Sequence, residues 1–116
     1  MSVTRHDIGP RMSQAVVHGN TVYLAGQVAA NPTPSVAEQA KQILAQVDRL
    51  LKEAGTDKTK ILSATIWLVD MRTFADMNGV WDAWVSPGNT PARATVEAKL
   101  AGPQYLIEIA ITAALD

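Results

Sequence analysis

Cysteine is absent from this chain. Disulfides, thiolate nucleophiles and zinc–thiolate centres are excluded with it. Histidine is scarce: His6 and His18 are the only two, and neither falls in a recognisable metal-ligand spacing. No Gly-rich phosphate loop, His-Glu-x-x-His motif or EF-hand loop occurs, so no metal site is expected. Lys and Arg never form a run, and the net charge is -1. Nucleic-acid binders draw on a basic patch to displace counterions, so no nucleic-acid partner is expected. No apolar stretch approaches the roughly 20 residues that span a bilayer, so none is expected to enter a membrane. No apolar leader segment follows Met1, and a cytoplasmic location is the default expectation.

The 116 residues are expected to form a single domain, 1–116. Charged residues make up 18% of the chain, below the usual share of about 25%. So few charges favour a surface partly hidden in an oligomer.

The hydrophobic pattern predicts six strands and two helices in the order βββαβαββ. Gln14 to Val17 and Thr21 to Ala25 flank His18-Gly19-Asn20 and read as a β-hairpin, with a short edge strand at Val3 to His6 before it. Asn31-Pro32-Thr33-Pro34 marks a loop. A helix starts at Ser35, which forms a capping box with Glu38. Its apolar stripe runs from Val36 through Ala40, Ile43, Leu44 and Val47 to Leu51 and Ala54, and Gly55 ends it. Ile61 to Val69 is apolar on both faces and reads as an interior strand. A second helix spans Thr73 to Val85, with Phe74, Met77, Trp81 and Trp84 expected to face inward. Strands at Ala92 to Ala98 and Tyr105 to Ala114 complete the chain. Two helices on one face of a mixed six-stranded sheet give a two-layer α+β fold. The other sheet face also carries apolar residues, and a second subunit is the simplest cover.

Two charged residues interrupt these apolar strands. Arg93 stands at the start of the fifth strand, and Glu108 sits inside Ile107-Glu108-Ile109. A carboxylate in such a strand needs a partner or water, because burying an unpaired charge is costly. A salt bridge between the two, an oligomer contact and a functional cleft all satisfy this pattern.

The chain resembles the RidA/YjgF family of imine deaminases over essentially its whole length. The matching segments are Ile8-Gly9-Pro10, Val22-Tyr23-Leu24-Ala25-Gly26-Gln27, the helix with Phe74, Met77 and Asn78, Pro91-Ala92-Arg93 with Val96, and Ile107-Glu108-Ile109. Asp82-Ala83-Trp84-Val85 is similar to the short YoaB-like branch.

The resemblance implies a chorismate mutase-like fold in which the final strand lies between earlier ones. It implies a homotrimer with pockets between subunits. It further implies hydrolysis of 2-imino acids, in equilibrium with their enamines, to 2-oxo acids and ammonia, with no cofactor and no metal. Arg93 would bind the substrate carboxylate, and Glu108 would place a water and handle protons. Gly26 would offer backbone contacts, and Asn78 would line the pocket. The chain departs from the family at three pocket positions. Arg11 replaces a tyrosine, Ala25 a small polar residue, and Thr95 a frequent cysteine. Arg11 would favour a dicarboxylate or larger anion if it entered the pocket. A trimer that binds a small carboxylate without turning it over is the alternative function. Endoribonuclease action, attributed to some family members, is disfavoured by the charge balance.

Overall fold

A computed structural model describes residues 1–116. The strands are β1 (Val3–Ile8), β2 (Ser13–His18), β3 (Thr21–Leu24), β4 (Ile61–Leu68), β5 (Ala92–Glu97) and β6 (Ile107–Ala114). The helices are α1 (Val36–Ala54) and α2 (Phe74–Trp84). They form the expected two-layer α+β arrangement, with sheet order β1-β2-β3-β6-β4-β5.

Local chemistry sets these boundaries. Gly19, at φ 60, takes the first position of the two-residue turn that pairs His18 with Thr21. That left-handed conformation is one glycine adopts without a Cβ clash. Ser35 caps α1 by accepting the Glu38 N–H at 3.2 Å. The reciprocal half of the capping box does not form, because the Glu38 carboxylate turns outward to Lys41 at 3.4 Å. Gly55, at φ 95, closes the other end, and Thr56 N–H reaches back to Leu51 O at 2.9 Å.

The last strand does not form a hairpin with β5. β6 inserts between β3 and β4 and runs antiparallel to both. β4 and β5 are parallel, with α2 in the crossover between them. The insertion puts Ile107, Ile109, Ile111 and Ala113 in the core, where they meet the stripe of α1. Each fully buried isoleucine there contributes about 1.5–3 kcal/mol.

The opposite sheet face is covered by no element of this chain. It carries Val16, Tyr23, Trp67 and Val96, with Thr65, Ala110 and Thr112 between them. Tyr23 is 46% exposed and Val96 44%. No helix is long and apolar enough to cross a membrane.

Candidate active site

Arg93 leaves β5 on the helix side of the sheet, since its register partner Ala64 is buried there. Three residues of α2 hold its guanidinium. Nη1 donates to Asn78 Oδ1 at 2.9 Å. The guanidinium carbon stands 5.4 Å from the Trp81 ring centroid and 5.8 Å from that of Phe74. These three side chains recur at i, i+4 and i+7, so one helix face presents them together. Each cation–π contact contributes about 0.5–1 kcal/mol at an exposed site. Phe74 is therefore not a core residue: it is 39% exposed and covers Arg93, whereas Met77 and Trp81 are buried as expected. Trp84 is half-buried and donates its indole N–H to Asp48 at 3.0 Å. The remaining donors of Arg93, Nε and Nη2, meet no protein acceptor, so most of the planar fork is presented outward.

Glu108 leaves β6 on the other side of the sheet. Its register partner is Trp67, and both alternate with buried neighbours. Its carboxylate packs against Gly26, where a built Cβ would overlap it. A glycine is required there for that close approach. Glu108 is half-buried, yet its carboxylate forms neither a salt bridge nor a hydrogen bond within the chain.

Arg93 and Glu108 thus form no salt bridge with each other; they point away from opposite faces. The other expected site residues divide the same way. Asn78 and Thr95 lie with Arg93, and the Thr95 hydroxyl is buried without a hydrogen-bond partner. Gly26 and Ala25 lie with Glu108, and Ala25 N–H donates to Gln14 O at 2.9 Å. Arg11 is exposed in the β1–β2 turn and borders a hollow of about 320 Å³ with Asp7, Gly9 and Gln14. A neighbouring hollow of about 570 Å³ touches Gln14, Gly26, Gln27, Gln46 and Arg49, but not Arg11. The largest hollow, about 700 Å³, lies between α1 and α2 and contains none of these residues. Within one chain, then, the candidates form two half-sites, and Arg11 belongs to neither.

The protein-family model described as Endoribonuclease L-PSP matches residues 6–115. The chain belongs to the RidA/YjgF family. Among its RidA/YjgF relatives is the RutC family protein YoaB of Escherichia coli K12. The two are 45% identical over 115 residues, which covers 99% of this chain and 100% of that one. A crystal structure of a YjgF family member from Neisseria meningitidis superposes with a TM-score of 0.97 at 48% identity, covering 100% of this chain and 97% of that one. A more distant relative, from Rattus norvegicus, is named 2-iminobutanoate/2-iminopropanoate deaminase. It is 35% identical over 103 residues, covering 84% of this chain and 74% of that one. The RidA/YjgF fold accounts for the inserted β6, which local sequence alone leaves open between a hairpin and a central strand.

Two contributions to this candidate site were not foreseen from sequence. One is the pair of rings around Arg93; the i, i+4, i+7 spacing of Phe74, Asn78 and Trp81 was the available signal. The other is Gln27, whose side chain is almost wholly buried beside Gly26. No sequence pattern distinguishes a buried glutamine from an exposed one.

Proposed function

We propose that this protein hydrolyses 2-imino acids to 2-oxo acids and ammonia, in clefts formed between the subunits of a homotrimer. The observation that carries the reading is the split of Arg93 and Glu108 into two half-sites, each with unpartnered groups directed outward. In the proposed trimer a second copy lies against the open sheet face, its β5 edge oriented so that one chain's Arg93 completes the cleft at another's Glu108. It would also cover Tyr23, Trp67 and Val96. The deaminase name borne by the rat relative supports the reaction class.

The chemistry follows from the groups available. The outward fork of Arg93 fits a carboxylate through two parallel N–H···O bonds, each contributing about 1.5–3 kcal/mol net. That clamp fixes the C=N carbon of the substrate. Glu108 takes a proton from a water as the water oxygen bonds to that carbon, and passes that proton to the imine nitrogen as the C=N double bond becomes a C–N single bond. The resulting 2-amino-2-hydroxy acid then loses ammonia: its C–N bond breaks, the hydroxyl proton passes to nitrogen, and C=O forms. Water is the only co-reactant, and neither electron transfer nor Lewis-acid assistance is needed. Positioning contributes most of the acceleration, because an imine carbon is already electrophilic.

Ribonuclease action, named in the family description, fits this chain less well. Ten basic residues against eleven acidic ones give no excess positive charge to meet a phosphate backbone.

A coupled assay tests the proposal. An amino-acid oxidase generates imines from neutral, basic, aromatic and acidic amino acids, and their disappearance is followed with wild type and Arg93→Ala. Faster loss with wild type, abolished in a folded Arg93→Ala of the same oligomeric state, supports it. No acceleration of any imine contradicts it. The second reading, carboxylate binding without turnover, rests on the Arg93 fork alone. It predicts calorimetric binding of 2-oxo acids that Arg93→Ala removes.

A further inference from the structure

Gln27 is 5% exposed, and both ends of its side-chain amide are engaged. Nε2 donates to Gln14 Oε1 at 2.9 Å and to Ala25 O at 3.0 Å. Oε1 accepts from Gln46 Nε2 at 3.1 Å. The Gln27 backbone bridges Ile109 through bonds of 2.8 and 3.1 Å. One residue is thereby tied to β2, α1 and β6 together. A buried amide so fully satisfied is rigid, because any rotation leaves a polar atom unpaired at high cost.

The bond to Ala25 O has a consequence for the next amide. The Ala25–Gly26 peptide is trans and planar, so its C=O and N–H point in opposite directions. With the carbonyl held toward the Gln27 amide, the Gly26 N–H is directed away from it. Ala25 N–H bonds Gln14 O and Gln27 N–H bonds Ile109 O, but Gly26 N–H donates to no protein acceptor. Gly26 is exposed, and the place of its missing Cβ is taken by the Glu108 carboxylate.

We infer that Gln27 is a positioning residue whose side-chain amide sets the Ala25–Gly26 peptide plane and so holds the Gly26 N–H as a fixed donor beside Glu108. A donor and an acceptor side by side supply the two hydrogen bonds that hold one water in a single orientation. The inference rests on the proposed hydrolysis for its kinetic consequence: Arg93 holds the substrate, while Gln27 acts, through Gly26, on the water. Its loss lowers kcat and leaves KM nearly unchanged.

Three full-length variants test this. Gln27→Met keeps the length and loses every side-chain hydrogen bond. Gln27→Glu keeps the acceptor for Gln46 but has no donor for Ala25 O at neutral pH. Gln39→Met is the control. Gln39 is also fully buried and bonds Thr33 O at 2.6 Å and Gln104 O at 3.0 Å, but it does not touch Ala25. The readouts are the amide ¹H–¹⁵N resonance of Gly26, thermal midpoint, kcat and KM. Gln27→Met is expected to move the Gly26 resonance and to lower kcat about tenfold or more, with KM changing less than about twofold. Gln39→Met is expected to lose thermal stability while keeping the Gly26 resonance and kcat. Should Gln27→Met fail to fold, Gln27→Glu carries the same expectation. An unmoved Gly26 resonance overturns the inference, as does an equal fall of kcat in Gln39→Met. If wild type hydrolyses no imine, the functional reading fails separately, and the Gly26 resonance in the same variants still decides whether Gln27 sets the peptide plane.

Discussion

Arg93 and Glu108 leave opposite faces of one sheet: Arg93 pairs in register with buried Ala64 on the helix side, and Glu108 with Trp67 on the open side. A strand's side chains alternate strictly, so no rotamer change brings a residue through the sheet. The proposed cleft therefore draws them from different copies. This geometry favours the shared site in the proposed trimer over a pocket inside one chain.

Gly26→Ala separates packing from chemistry. The new Cβ overlaps the Glu108 carboxylate, which ends a flexible side chain and can swing aside. Stability is expected to fall by about 1 kcal/mol or less, as small overpacking does at a site able to relax. Imine hydrolysis is expected to fall about tenfold or more, because the carboxylate loses its place. Adding Glu108→Ala should restore the thermal midpoint but not the activity. Paired melting and kinetic measurements read both effects.

Asn78→Ala removes the side-chain hydrogen bond to Arg93 and leaves the Phe74 and Trp81 rings in place. KM is expected to rise about threefold to tenfold with the fold intact. Asn78→Asp is expected to be worse, although the shape is the same. Its carboxylate would pair with the guanidinium and compete with the substrate for the fork. Calorimetric binding of a 2-oxo acid to both variants gives the order directly.

Much of the fold was legible because one periodicity dominated each element. The 3.6-residue stripe from Val36 to Leu51 is the buried face of α1, and Gly55 ends that helix as expected. Strand ends were less legible: β5 ends at Glu97 and β6 starts at Ile107, although single backbone bonds at Ala98 and Leu106 continue the pairing by one residue. The second helix misled at Phe74, because an aromatic at the right spacing for the core also suits a cation above the sheet edge. Arg93 and Glu108 stood out as charges in apolar strands, but their opposite directions depend on β6 inserting beside β4, a long-range pairing. The Gln27 network is least visible from sequence. Its partners, Gln14 and Gln46, lie 13 and 19 residues away on different elements.

Acid sensitivity has an identifiable local source. The Arg72 side chain bonds the Asp70 carboxylate and holds its pKa below the ordinary 3.8, with a backbone bond from Arg72 acting in the same direction. A carboxyl whose folded pKa is depressed contributes stability above its unfolded pKa and loses it as pH falls through the folded value. Asp70→Asn should therefore lie below wild type at neutral pH and converge with it on acidification below about pH 4. Both partners face solvent, so added salt should shrink the difference. Thermal midpoints across pH at two salt concentrations check the sign.

The most direct measurement concerns the shared cleft. Arg93→Ala and Glu108→Ala are each expected to be inactive alone. Coexpressed in equal amounts, they form mixed trimers in which some clefts pair the intact Arg93 of one chain with the intact Glu108 of another. Random assembly gives about one such cleft in four, so imine hydrolysis should recover to about a quarter of wild type. Mixed trimers no more active than either variant alone would contradict a site shared between subunits.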